Sequence, residues 1–252
     1  ANNGAAMRSF RVVSNNAYNM VALERGRDTD AAILAINRSA SSRIDKNGKQ
    51  VLAYIQYLDD MIAADRSGRP KDILVIGAGG FTLGFNDAVN HYTFVDIDPA
   101  LKRVAEAHFL PKKLGPNKHF AAASARAFVH GSKERYDMIV IDTFTNVISV
   151  PMETTTREFL LDVKTLLKEN GVVAANIIMH PGFADRFSAR YNNTFASVFP
   201  HYSRQIIGTA FNPWESDPRP HSRNALYLYF NGKYAEDNAV YTDDKNTYSL
   251  DR

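Results

Sequence analysis

Asp72-Ile73-Leu74-Val75-Ile76-Gly77-Ala78-Gly79-Gly80 decides how this chain is read. An apolar run stopped by glycine is the mark of a central parallel strand, buried on both faces. Tyr92-Thr93-Phe94-Val95-Asp96-Ile97-Asp98 reads as a second strand, and a helix is expected between the glycines and Tyr92. Pro99 stands where a further helix begins, because the first turn leaves its amides unused, and Leu101, Val104, Ala105 and His108 continue it. A weaker strand over 119–122 precedes a helix over 125–130, and Asp137-Met138-Ile139-Val140-Ile141-Asp142 is another buried strand. Next come an amphipathic helix over 157–167 ending near Asn170-Gly171, a strand over 172–178, a helix over 184–199 and an edge or hairpin strand over 225–230. Repeated β-α-β units of this length predict an α/β protein with a doubly wound parallel sheet and right-handed crossovers.

The residues before Pro70 read differently. Arg11-Val12-Val13, Met20-Val21-Ala22-Leu23 and Ala32-Ile33-Leu34-Ala35-Ile36 are short strands, with turn residues at Asn15-Asn16, Gly26 and Lys46-Asn47-Gly48. Leu52, Ile55, Leu58, Met61 and Ile62 recur at helical spacing. Ser67-Gly68-Arg69-Pro70 punctuates the chain. We therefore divide it into an N-terminal β region with a linking helix, 1–66, and a main domain, 67–252.

Composition narrows the function classes. With 252 residues, 45% hydrophobic, the chain can bury one large core, or one core and a small annex. Its 30 basic and 27 acidic side chains leave a net charge of +3, spread singly, which gives no nucleic-acid surface. No apolar run approaches the roughly 18 residues of a bilayer span, and none near Ala1 resembles a signal peptide. Absence of cysteine excludes disulfides, thiolate metal sites and cysteine nucleophiles.

In such sheets ligands bind at the carboxyl ends of the strands, near the point where strand order reverses. Gly77, Gly79 and Gly80 lie at that end of the first strand, where the lack of Cβ atoms lets a ligand approach the backbone. Alone they read equally well as a tight strand-to-helix turn. Asp96 follows them by ~20 residues, the distance at which a carboxylate meets ribose hydroxyls. Asp96 or Asp98 could instead cap the helix at Pro99; Asp98 fits the cap better, which leaves Asp96 for the sugar. Phe81 and Thr82 stand where a dinucleotide pattern needs its third glycine, so a nucleoside is favoured.

Ile73-Leu74-Val75-Ile76-Gly77-Ala78-Gly79-Gly80, Val95-Asp96-Ile97-Asp98-Pro99 and Tyr136-Asp137-Met138-Ile139-Val140-Ile141-Asp142 resemble, in order and spacing, successive motifs of the spermidine synthases. These are aminopropyltransferases, and the resemblance implies a Rossmann-like methyltransferase-type core with a small N-terminal β domain. Ser14-Asn15-Asn16-Ala17-Tyr18-Asn19 loosely resembles the family's Ser-x-Tyr-Gln signature, and Tyr54 stands at a family tyrosine just before the core. The likeness runs from about Phe10 to Arg252; no single motif is specific. Asp142-Thr143-Phe144, Pro151, Thr155-Thr156-Arg157-Glu158-Phe159 and Thr242-Asp243-Asp244 resemble the branch fused behind membrane segments. That implies a cytoplasmic domain, trimmed from a membrane-tethered parent, with a homodimer as one assembly to expect.

The resemblance also implies a co-substrate, decarboxylated S-adenosylmethionine or S-adenosylmethionine itself, a small-molecule amine as partner, and neither metal nor nucleic acid. Ile97 would join Asp96 in holding the co-substrate, and Ser124-Ala125 stands where the family reads the adenine amino group. An alkylamine of pKa about 10.4 is ~3 units too protonated at neutral pH, a cost on the order of 4–5 kcal/mol, so a carboxylate must take its proton. Asp142 matches the first aspartate of the family's Asp-Ser-Ser-Asp loop and is the candidate base; it could otherwise cap a turn. Tyr18, Tyr54, Thr143 and Glu153 are candidates for the acceptor side. Thr145 and Gly80 replace two family acids that help hold a cationic diamine, which weakens the case for putrescine. His180, Trp214, Asp243 and Asp244 could approach the same rim, though loop, packing and solvated-tail roles fit them at least as well. The leading expectation is aminopropyl transfer to an amine with release of methylthioadenosine. The alternatives are an enzyme of intact S-adenosylmethionine, by methyl transfer or intramolecular cleavage, and a non-catalytic nucleoside sensor.

Overall fold

In the computed structural model, residues 10–25, 32–65, 67–145, 150–209 and 222–232 are described; Gly26, Trp214, Thr242, Asp243 and Asp244 lie outside them. Four strands, β1 (Arg11–Asn15), β2 (Met20–Arg25), β3 (Ala32–Ile36) and β4 (Ser39–Ile44), form an antiparallel sheet in chain order. The reading of the sequence lacked β4, because its run of serines carries little apolar alternation. What creates it is the turn before it. Asn37 and Arg38 have φ of 49° and 66°, the left-handed pair that a two-residue hairpin needs. Helix α1 (Ala53–Ala63) buries Tyr54, Ile55 and Leu58 along one stripe.

The main sheet has seven strands: β5 (Asp72–Ile76), β6 (His91–Asp96), β7 (Lys118–Ala122), β8 (Tyr136–Ile141), β9 (Leu167–Met179), β10 (Ser203–Thr209) and β11 (Arg223–Phe230). Their order is β10-β11-β9-β8-β5-β6-β7. β5 to β9 run parallel and β11 antiparallel between β9 and β10. The order reverses between β5 and β8, which puts the switch point above those two strands. Helix α2 (Leu101–Val104) widens into a π-turn over Ala105–Phe109, followed by α3 (Ala125–Gly131), α4 (Arg157–Thr165) and α5 (Arg186–Ala196). Val129, Phe159, Val163 and Phe195 of α3 to α5 cover one face of the sheet. Val21, Leu23 and Leu34 of the small sheet share a core with Leu58, Val75 and Phe94 on the other. Burial of these apolar side chains, at roughly 25 cal/mol per Å², fixes the small sheet against the large one.

Three expectations need correction. No helix joins β5 to β6; residues 77–90 run as successive turns. Gly77, Gly79, Phe81 and Gly84 have φ of 92°, 49°, 59° and 62°, and left-handed residues so closely spaced cannot continue a right-handed helix. Helix α4 stops at Thr165 and β9 begins at Leu167, before Asn170-Gly171; the pairing with β8 slips from Tyr136↔Leu167 to Met138↔Val172 across that turn. Of the two readings of β11, the hairpin holds, since it pairs antiparallel with β10, but the edge does not: β11 is interior and the edge is β10, whose polar Ser203-Arg204-Gln205 start hid it.

At the amino ends of the strands, Asp137 accepts from Arg69, from Lys168 and from the Asp72 amide. Burial pushes its carboxyl up, but these three donors outweigh that and hold it well below the usual carboxylate range. A depressed folded-state value stabilises the fold above the unfolded value near 3.8, and that contribution fades as pH falls toward the folded one. Asp137→Asn should cost about 2 kcal/mol at neutral pH. In urea unfolding the gap to the parent chain should narrow as the medium is acidified; a gap independent of pH refutes the assignment.

Candidate active site

A cleft of about 980 Å³ lies over the carboxyl ends of β5, β6, β8 and β9, closed on one side by β4 and the start of α1. Its floor is set by Gly77. The Gly77 amide bonds the Val95 carbonyl at 2.9 Å, and the Asp142 amide bonds the Ile76 carbonyl at 2.8 Å. A Cβ on Gly77 would lie 2.1 Å from the carbonyl oxygen of Asp142. Only glycine lets the turn after β5 touch the chain leaving β8. Gly79 also lines the cleft; its φ of 49° is left-handed, and a Cβ there would meet the hydroxyls of Ser41 and Ser42 at 3.1 Å, tight but short of a backbone clash.

Gly80 departs from expectation. Buried, it gives its amide to the Ser42 hydroxyl at 2.8 Å, and a Cβ there would strike Phe109. It does not line the cleft; its bare backbone serves the contact with the small sheet. A side chain as large as the family's aspartate would not fit.

Asp96 ends β6 at the cleft, its two carboxylate oxygens fixed by the amides of Ala78 and Asp98, each at 3.1 Å. Burial raises its pKa, partly offset by those amides. Asp98 is fully buried and otherwise engaged: it accepts from the Ala100 amide at 2.9 Å and from the side chain of Asn16 at 2.9 Å. It therefore turns the chain toward α2 while gripping the β1–β2 hairpin, which leaves Asp96 facing the cleft. Ile97, 48% exposed, presents an apolar surface between Asp96 and Ser124-Ala125, all of them lining residues. Ser124 caps α3, its hydroxyl accepting from the Ala127 amide at 3.2 Å.

Asp142 leaves β8 on the other side of the glycine turn. The Tyr54 hydroxyl donates to its Oδ2 at 2.8 Å, and Asn176 Nδ2 donates to its Oδ1 at 2.9 Å. Burial pushes the carboxyl up, against the lowering effect of both donors. Burial and the adjacent carboxylate push the Tyr54 phenol well above its ordinary range, so Tyr54 holds its proton and stays a donor. The result is a carboxylate with two fixed donors and raised proton affinity, the properties of a general base. Asn176 was missed in the sequence. An asparagine inside Val172-Val173-Ala174-Ala175-Asn176-Ile177-Ile178 was the available signal, since a buried polar side chain in an apolar strand needs a reason.

Tyr18, Thr143 and Glu153 also reach the cleft, Tyr18 from the β1–β2 hairpin and Glu153 from a helical turn over Met152–Thr154. Thr143 and Thr154 share a hydrogen bond of 3.0 Å, which ties the loop after β8 to that turn. His180 is not among the lining residues; its Nδ1 accepts the Gly182 amide at 3.1 Å. Among the described residues no three His, Asp or Glu side chains group as a metal site, and no helix is long and apolar enough to cross a membrane.

An α/β sheet of this order, with an acid after the second strand and another after the fourth around a glycine turn, is a Rossmann-like domain of the methyltransferase type. The comparisons make the class specific. Residues 49–209 match the spermine/spermidine synthase domain, and the chain belongs to that family. It is 33% identical over 138 residues to a polyamine aminopropyltransferase of Vibrio vulnificus, covering 52% of this chain and 46% of that one. It is 32% identical over 161 residues to an N-terminal histidine N-methyltransferase of Emericella nidulans, covering 60% of this chain and 27% of that one. These matches span less than half the length of either relative. A probable spermidine synthase of Corynebacterium glutamicum superposes with a TM-score of 0.70 at 20% identity, over 93% of this chain and 84% of that one.

The glycine geometry carries a prediction. Gly77→Ala must displace backbone and should cost about 3 kcal/mol, whereas Gly79→Ala takes on a left-handed φ and a tight contact with two hydroxyls but no backbone clash and should cost about 1–2 kcal/mol. Equal losses in denaturant unfolding refute the distinction.

Proposed function

We propose that this chain transfers an alkyl group from an adenosylated sulfonium to an amine, the group being aminopropyl and the donor decarboxylated S-adenosylmethionine. The observation that carries the reading is that Asp96 and Asp142 open onto one cleft. In this mechanism Asp96 holds the ribose hydroxyls, Ile97 and Ser124-Ala125 receive the adenine, and the sulfonium points past Gly77 toward Asp142. The amine nitrogen attacks the carbon bonded to sulfur; the C–N bond forms as the C–S pair returns to sulfur, and the nitrogen's proton passes to Asp142. Alignment supplies much of the acceleration. Family membership and the resemblance to a polyamine aminopropyltransferase support the group transferred.

A second reading, methyl transfer from intact S-adenosylmethionine, is favoured by two observations. Arg43 lines the cleft and could pair with the carboxylate that the intact donor carries. One relative, moreover, is named as an N-methyltransferase.

Incubation with each donor separates these readings. Methylthioadenosine formed only with added amine supports aminopropyl transfer, S-adenosylhomocysteine supports methylation, and amine-independent methylthioadenosine supports cleavage. Asp142→Asn should lower the transfer rate at least about 100-fold while leaving methylthioadenosine affinity within about threefold; undiminished turnover refutes the base. Tyr54→Phe removes a donor that favours the ionised carboxylate, so Asp142 binds its proton more tightly. The acid limb of the pH–rate profile should therefore move to higher pH. A limb moving down, or not at all, contradicts the arrangement.

A further inference from the structure

Asn176 is 2% exposed and lines the cleft, yet its Oδ1 is buried with no hydrogen-bond partner, while its Nδ2 is fixed on Asp142 at 2.9 Å. A buried acceptor left unmade is costly, and native structures rarely tolerate one without a ligand or water to satisfy it. The same face of the sheet extends beyond it. Ile178 lies two residues further along β9, about 7 Å away. Asn224 of β11 pairs with Ile178, Ile207 of β10 pairs with Asn224, and all three line the cleft. This row is neutral from end to end. Among the described residues the remaining carboxylate of the acceptor side, Glu153, is exposed to solvent, and the lining cation, Arg43, repels rather than attracts an ammonium group.

We propose that Asn176 seats the acceptor nitrogen, its carbonyl oxygen taking one N–H while Asp142 takes the proton that leaves, in a site whose neutral wall suits an amine bearing a single charge rather than a diamine. The inference rests on Asp142 as the base. A nitrogen held by both oxygens presents its lone pair to the sulfonium carbon, and a second ammonium some 6 Å further on would be desolvated against Ile178 and Asn224 with no carboxylate of the described lining residues beside it. Thr145, a lining residue that stands where the family has an acid, belongs to the same pattern.

Binding, measured apart from turnover, tests the seat. The whole chain is saturated with methylthioadenosine and titrated calorimetrically with n-butylamine and with 1,4-diaminobutane. Wild type should bind n-butylamine at least as tightly as the diamine. Asn176→Leu should weaken n-butylamine about tenfold and leave methylthioadenosine affinity within about twofold, a control for folding. Asn224→Asp should strengthen 1,4-diaminobutane about tenfold without changing n-butylamine. A wild-type preference for the diamine, unaltered n-butylamine binding in Asn176→Leu, or no binding of either amine overturns the proposal. Binding of n-butylamine that Asn176→Leu weakens, without turnover from any sulfonium donor, removes the transferase reading and leaves the seat standing.

Discussion

Everything in the cleft follows from one close approach, that of the Gly77 backbone to the Asp142 carbonyl. The distance a Cβ would have to occupy, 2.1 Å, excludes every other residue. Because the two chain segments touch, the ends of β5 and β8 form one floor at the place where strand order reverses. Asp96 stands on one side of that floor and Asp142 on the other. Were the turn lifted by the thickness of a methyl group, the two acids would remain but would cease to share a pocket.

The small sheet completes the site by latching onto it at three places. Ser42 of β4 accepts the Gly80 amide at 2.8 Å, which holds down the far end of the glycine turn. Asn16 and Asn19 of the β1–β2 hairpin donate to Asp98 at 2.9 and 3.4 Å, two residues beyond Asp96. Asn37 donates to the Thr145 carbonyl at 3.3 Å, on the loop that follows Asp142. Each latch is polar and modest, about 1 kcal/mol by ordinary measure, and the apolar core beneath supplies most of the attachment. Their value is positional: one sheet touches both acid-bearing strand ends, so neither can shift without disturbing the other.

How much of this was legible depends on whether a residue's signal was local. β5 and β8 declared themselves because strands buried on both faces are apolar without interruption, and Asp96 and Asp142 were conspicuous as acids ending such runs. The sheet partners β4 and β10 were not legible, since serine-rich and polar edges become strands only through their neighbours. Glycine-rich 77–84 was read as turn then helix, because composition does not reveal that Phe81 takes a left-handed φ of 59° to bury its ring against Phe94 and Phe120. Gly80 was assigned to a ligand for the same reason: the Ser42 hydroxyl that claims its amide lies 38 residues away. Asn176 was overlooked although its signal was local. A lone amide in an apolar strand reads as noise until the strand beside it is known to end in Asp142.

The raised proton affinity of Asp142 acquires a purpose once the donor's charge is considered. An empty cleft buries the carboxylate, and burial favours its protonated form. A sulfonium arriving over Gly77 brings a positive charge beside it, which favours the ionised form, so donor binding on the proposed reaction itself prepares the base. Transfer then turns the sulfonium into a neutral thioether and removes that charge as the C–S bond breaks. The amine gives up its proton before its lone pair can attack, so Asp142 takes that proton while the sulfonium is still present; once the sulfonium charge is gone, burial again dominates and favours keeping the proton on Asp142. Tyr54 and Asn176 work against burial, since each donates to the carboxylate and so favours its ionised form. In the proposed reaction the buried carboxylate and the transferable charge thus act as one device.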